Sequence, residues 1–126
     1  MGPIDVLIVE DEPIVGFELR QVFENAGYEV ANALSFAKAI DRIQAASVRC
    51  VVLDANLNGV MAHDIAALLA AKRVPYIMVS ARTPSGEPMW TDAAGVIQKP
   101  CDPPVVVAMV KKLLSCASAN RPANDP

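Results

Sequence analysis

Ile4-Asp5-Val6-Leu7-Ile8-Val9-Glu10-Asp11-Glu12 is the stretch that decides the fold. Val6 to Val9 form an unbroken aliphatic run, the pattern of a strand buried on both faces in a parallel sheet. The run stops abruptly at three carboxylates. Working outward, the pattern of an aliphatic run ending in a polar residue recurs. A weak strand lies near Tyr28 to Ala31. Cys50-Val51-Val52-Leu53 ends at Asp54, Tyr76-Ile77-Met78-Val79 ends at Ser80, and Val96-Ile97-Gln98 ends at Lys99. Helical spacing separates these runs. Val15, Leu19, Val22, Phe23 and Ala26 share one face, and Gly27 supplies a C-terminal stop. Ser35 can cap a helix carrying Ala39, Ile40 and Ile43. Another helix spans His63 to Ala71. The last runs from about Pro103 to Ser115 and buries Val106, Met109, Val110 and Leu113.

Strand and helix alternating in this way imply an α/β fold, a parallel sheet with right-handed crossovers and helices on both faces. In such sheets ligands bind at the carboxyl ends of the strands. Glu10, Asp11, Asp54, Ser80 and Lys99 all fall at those ends, so the fold gathers residues that are distant in sequence.

The 126 residues make one domain, with 1–116 as its body and 117–126 as a polar, Pro-containing tail or linker. Hydrophobic residues make up 53% and aromatics 5%, so the core is aliphatic. A net charge of -3 without a basic cluster excludes a cationic nucleic-acid binder. No apolar run approaches the roughly 18 residues of a membrane span, and the start lacks the pattern of a signal peptide. Cys50, Cys101 and Cys116 are odd in number and far apart. They read as reduced thiols of a cytoplasmic protein, not as a framework or a zinc site.

Carboxylates brought together repel unless a proton or a cation intervenes. Hard oxygen donors without Cys or His favour Mg²⁺ (or Mn²⁺) over zinc. A nucleophile, a cation and a fixed positive donor are the parts phosphoryl transfer needs. Asp54 supplies a carboxylate nucleophile, Lys99 a point charge and Ser80 a short hydroxyl.

Leu7-Ile8-Val9-Glu10-Asp11-Glu12, Val51-Val52-Leu53-Asp54, Met78-Val79-Ser80-Ala81 and Lys99-Pro100, in this order and spacing, resemble the CheY-like receiver domain of two-component response regulators over about residues 4 to 115. The resemblance implies a flavodoxin-like, doubly wound sheet of order 2-1-3-4-5. It makes Asp54 the phosphoacceptor, with Asp11 on Mg²⁺ directly and Glu10 partly through water. Asn56 gives its backbone carbonyl to the metal, Ser80 is the switch hydroxyl, and Lys99 binds phosphate before a cis bond to Pro100. Asn56 and Arg82 fall where the family tunes hydrolysis of the acyl phosphate. Partners would be a histidine kinase or a histidine phosphotransfer protein, facing Ile14, Glu18 and the loop at Cys101-Asp102, together with an unknown output protein. Neither nucleic acid nor membrane is bound directly. Chemistry is limited to self-phosphorylation and self-dephosphorylation.

Some positions depart from the family pattern. Val96 stands where an aromatic usually does. Pro84, Ser85, Gly86 and Pro88 predict a short or irregular fourth helix. Asn56-Leu57-Asn58-Gly59 lacks the family's common Pro. With Val74-Pro75-Tyr76, this resembles a subgroup of stand-alone, chiefly alphaproteobacterial receivers. About ten residues follow the last helix, so no output domain is expected; a single-domain regulator and a fragment of a hybrid kinase or larger regulator both stay open.

Blander readings stand beside these. Glu10-Asp11-Glu12 can simply begin a helix, Ser80 can be an N-cap, and Lys99-Pro100 a surface turn. His63 reads as an exposed helix residue, Cys101 as a packing residue and Trp90 as an anchor of its irregular segment. Two other functions compete: a pseudo-receiver that binds a partner without phosphorylation, and an aspartyl-phosphate phosphohydrolase. The hydrolase lacks a carboxylic acid at position 56.

Overall fold

The computed structural model describes residues 2–80 and 92–119. In chain order the elements are β1 (Ile4–Val9), α1 (Pro13–Asn25), β2 (Val30–Ala33), α2 (Phe36–Ala45) and β3 (Val48–Asp54). A hairpin of β4 (Asn56–Leu57) and β5 (Val60–Met61) follows. Then come α3 (His63–Ala71), β6 (Tyr76–Ser80), β7 (Gly95–Gln98) and α4 (Pro103–Ala119). The main sheet has five strands in the order β2-β1-β3-β6-β7, all parallel. Setting the hairpin aside, this is the expected order 2-1-3-4-5.

Strand periodicity divides the core in two. Leu7, Val9, Val51, Leu53, Tyr76 and Met78 point to one face and pack with Ala39 and Ile43 of α2 and Ile65, Ala66 and Leu69 of α3. The alternate residues Val6, Ile8, Cys50, Val52, Ile77 and Val79 meet Leu19 and Phe23 of α1 and Val106, Val110 and Leu114 of α4. Both faces are covered, which is why the central strands read as continuous aliphatic runs rather than alternating ones. Each fully buried Leu or Ile contributes about 1.5–3 kcal/mol.

Helix α1 starts with Pro13 at its first turn, where the missing N–H costs nothing. It ends in a Schellman motif. Gly27 takes φ +95°, its N–H donates to the Glu24 carbonyl, and the Tyr28 N–H donates to the Phe23 carbonyl. The Tyr28 ring meets Phe23 edge-on at 5.9 Å. Tyr28 is therefore taken up by the helix stop, and β2 begins at Val30, two residues after the expected start. Ser35 caps α2 by accepting the Lys38 N–H at 3.2 Å, as its position predicts.

Four further expectations need correction. Ala26 follows the last turn of α1 and is exposed. In α4 the buried line is Val106, Val110 and Leu114, with Met109 and Leu113 on its flank. That helix also continues through Ala119 and takes in the first residues of the expected tail; Ala117 and Ala119 are strong helix formers. His63, expected at the surface, is half-buried as the first residue of α3. The expected irregular fourth helix, Arg82 and Trp90 lie outside the described residues, as does the rest of the tail.

Candidate functional site

The parallel register brings the polar ends together. Val9 of β1 lies beside Leu53 of β3, and Asp54 lies beside Val79 of β6. Glu10 therefore leaves β1 next to Asp54, and Ser80 closes the neighbouring strand. Glu10, Asp54 and Ser80 are buried, at 4%, 5% and 9% exposure, and Asp11 is half-buried. Lys99 directly follows β7. Its backbone N–H donates to the Ser80 carbonyl at 2.7 Å, which carries the β6–β7 pairing one step beyond the strands. The Lys99-Pro100 bond is cis, as the resemblance implied.

The Lys99 Nζ lies 3.1 Å from both Glu10 Oε2 and Asp54 Oδ2. Backbone groups complete the carboxylates' partners. The Glu12 N–H donates to Glu10 Oε1 at 3.1 Å and the Asn56 N–H to Asp54 Oδ1 at 3.2 Å. The Asn58 N–H donates to Asp11 Oδ2 at 2.7 Å. One carboxylate oxygen from each of Glu10, Asp11 and Asp54 lies within 4.8 Å of the others.

Burial, and then the charge of Asp54, push the Glu10 carboxyl up to about 7, against the opposing pull of Lys99 and the Glu12 N–H. Burial alone would lower the Lys99 ammonium. The hydrogen bonds and charges of Asp54 and Glu10 outweigh it and raise it instead. Lys99 therefore stays charged around neutral pH, where Glu10 is only partly ionised.

The donor set suits a hard divalent ion. Mg²⁺ takes oxygen ligands at about 2.0–2.1 Å, so its ligands stand roughly 3–4 Å apart. A small closing of the three carboxylates fits them to one ion and leaves positions for water or a phosphate oxygen.

Behind Glu10 lies support that the sequence did not reveal. The Asn32 amide of β2 donates to the Gly16 carbonyl at 3.2 Å and accepts from Arg20 at 3.3 Å. A Cβ at Gly16 would sit 3.2 Å from Asn32 Nδ2 and 3.8 Å from Glu10 Cβ. Glycine thus lets α1 approach both residues. The hairpin after Asp54 was also missed, although Asn58-Gly59 between apolar residues is a hairpin signal.

Beside Lys99, a groove of about 410 Å³ opens between α1 and the start of α4, lined by Val15, Glu18, Leu19, Cys101 and Pro103 among others. Cys101 is half-buried and packs against the α1–α4 side of the core, in keeping with a packing role. Val96, by contrast, lies on the outer strand β7 and is 42% exposed.

Fold and site together define a flavodoxin-like α/β domain with a cation-compatible acidic cleft at its strand ends. Residues 6–111 match the family model described as response regulator receiver domain, and the chain belongs to that family. Protein Rrf1 of Nitratidesulfovibrio vulgaris is 26% identical over 95% of this chain and 89% of its own length. Two further curated relatives, transcriptional regulatory proteins, are spanned over only about half of their length (50% and 49%). Among solved structures, a CheY-like receiver domain protein from Methanospirillum hungatei superposes with a TM-score of 0.86 at 20% identity, covering 95% of this chain and 100% of that one. Response regulator TrrA of Thermotoga maritima, in complex with Mg²⁺-BeF, gives 0.78 at 22% identity, covering 90% and 99%. At these identities the two structures attest the fold.

Proposed function

We propose that this receiver domain accepts a phosphoryl group from a phosphohistidine donor onto Asp54 and signals the event to a protein partner. The observation that carries this reading is the double contact of Lys99 Nζ, 3.1 Å from both Glu10 and Asp54, beside Asp11 at the ends of successive strands. An Asp54 carboxylate oxygen forms the new bond to phosphorus as the bond to the donor's imidazole nitrogen breaks, and the imidazole takes up a proton. Lys99 is already placed at Asp54 to receive a phosphoryl oxygen, and Ser80 closes the adjacent strand as a hydroxyl donor. Glu10, Asp11 and Asp54, with the Asn56 backbone carbonyl, would hold Mg²⁺ or Mn²⁺, which supplies charge neutralisation for the transferring group. Membership of the family and the Mg²⁺-BeF complex of TrrA support this assignment.

The donor, a histidine kinase or phosphotransfer protein, docks over the groove beside Lys99. Glu18 of α1 lines that groove, and Ile14 one turn earlier on the helix is 74% exposed. No helix among the described residues is long and apolar enough to cross a membrane, and a cytoplasmic location agrees with this. The hydrolase alternative is not favoured, because Asn56 offers its N–H to Asp54 and carries no acid. The test is labelling by acetyl phosphate or a phosphohistidine donor with Mg²⁺. Asp54→Asn abolishes it, and full labelling of that variant would sink the assignment. Failure of the unaltered protein to bind beryllofluoride with Mg²⁺ would favour the pseudo-receiver.

A further inference from the structure

The hairpin β4–β5 turns through only two residues, Asn58 and Gly59. Leu57 pairs with Val60, so the ladder uses neither turn N–H. Both are directed at the site or its margin. The Asn58 N–H donates to Asp11 Oδ2 at 2.7 Å, within the range of a charge-assisted bond. The Gly59 N–H donates to the Asn56 side-chain oxygen at 2.8 Å, which closes the turn on itself. The same hairpin offers the Asn56 N–H to Asp54. Two of the three clustered carboxylates are thus held by one short arm.

The arm's shape depends on a rare backbone. Asn58 has φ +52° and Gly59 φ +85°, the pair of left-handed positions of a type I′ turn. Asparagine tolerates this region; a β-branched residue does not. Asp11 itself lies in the loop after β1, outside the strand, and needs a tether to stay near Glu10 and Asp54.

Resting on the cation reading above, we propose that Asn58 is a positioning residue for the cation site, its left-handed backbone aiming an N–H that holds Asp11 beside Glu10 and Asp54 and leaves the second Asp11 oxygen for the ion. Its side chain takes no part. What matters at position 58 is the ability to adopt positive φ.

The test is calorimetric titration of the full chain with Mg²⁺ alone, for the unaltered protein, Asn58→Val and Asn58→Gly. Amide hydrogen exchange at residue 58 and thermal melting are followed without Mg²⁺. Asn58→Val is expected to weaken Mg²⁺ binding about tenfold, as loss of an outer partner of a metal ligand does, with faster exchange at residue 58. Asn58→Gly restores both, which a contact of the side chain would not allow. Unchanged affinity in Asn58→Val overturns the assignment, and so does an equal loss in Asn58→Gly. If Asn58→Val does not fold, Asn58→Ala takes its place, a smaller side chain that still disfavours positive φ. Weaker Mg²⁺ binding with faster exchange at residue 58 then supports the assignment, and no change in either overturns it. An unaltered protein that binds no Mg²⁺ removes the cation reading itself, and the role of Asn58 with it.

Discussion

The acidic corner between β1 and β3 and the outer strand β7 are built to different standards. At the corner, Glu10 accepts hydrogen bonds on both oxygens, from the Glu12 N–H and Lys99, and Asp54 does so from the Asn56 N–H and Lys99. The strands that carry these residues are buried on both faces. On β7, half-buried and exposed residues alternate, and Val96 occupies the position where the family usually has an aromatic. On the proposed function, the contrast separates chemistry from read-out. The residues proposed to take and hold a phosphoryl group are fixed by several bonds each. The outer strand pairs with β6 and packs Ile97 against the core, but leaves Val96 exposed.

The hardest way to break this contrast is at the corner. Asp54→Asn removes the nucleophile and is expected to reduce labelling to background while the melting temperature changes little, since the amide keeps an acceptor for the Asn56 N–H.

Next in size is Lys99→Met. It leaves Glu10 and Asp54 facing each other without their shared cation. The expected destabilisation in chemical denaturation is about 2 kcal/mol at pH 8, less than for a fully buried pair because the lysine is partly exposed. It shrinks at pH 5, where Glu10 takes a proton, and an equal cost at both pH values would contradict the raised Glu10.

The third effect is on pH itself. Glu10 binds more protons folded than unfolded between its ordinary value of 4.5 and about 7. The stability it lends is thus fully present below the ordinary value and is lost as pH rises through about 7. Its ionised form is the one a cation needs. Mg²⁺ affinity is therefore expected to fall about tenfold per pH unit below about 7, read by calorimetry at several pH values; a flat profile would show that Glu10 is already ionised.

The smallest effect belongs to the outer strand. Val96→Phe, at a 42% exposed position, is expected to change stability by only about 0.5 kcal/mol and to leave labelling by acetyl phosphate unchanged. A lost labelling rate there would tie β7 to the chemistry after all.

How far the sequence could be read follows the same division. The main strands were legible because burial on both faces forces unbroken aliphatic runs, and the site was legible because each run stops at a polar residue. Ser35 and Gly27 marked their helix ends by chemistry that acts locally. What stayed hidden depends on contacts between distant segments. Asn32 touches Gly16 only after β2 docks beside β1, and nothing near either residue announces it. The start of β2 was misplaced because Tyr28 could serve a strand or a helix stop equally well by composition, and its packing on Phe23 decides between them. The hairpin after Asp54 had a local signal in Asn58-Gly59, but strands of two residues leave no periodicity to find.

The lysine held equally by Glu10 and Asp54 has a consequence for how the site fills. Without a divalent ion the corner is not a bare negative hollow, because its own counter-ion already sits inside. On the proposed cation reading, entry of a cation would be an exchange, in which Lys99 yields part of its hold on two carboxylates. On the proposed function, the same ammonium, 3.1 Å from Asp54, would be at hand when a phosphoryl group brings new oxygens to the cleft.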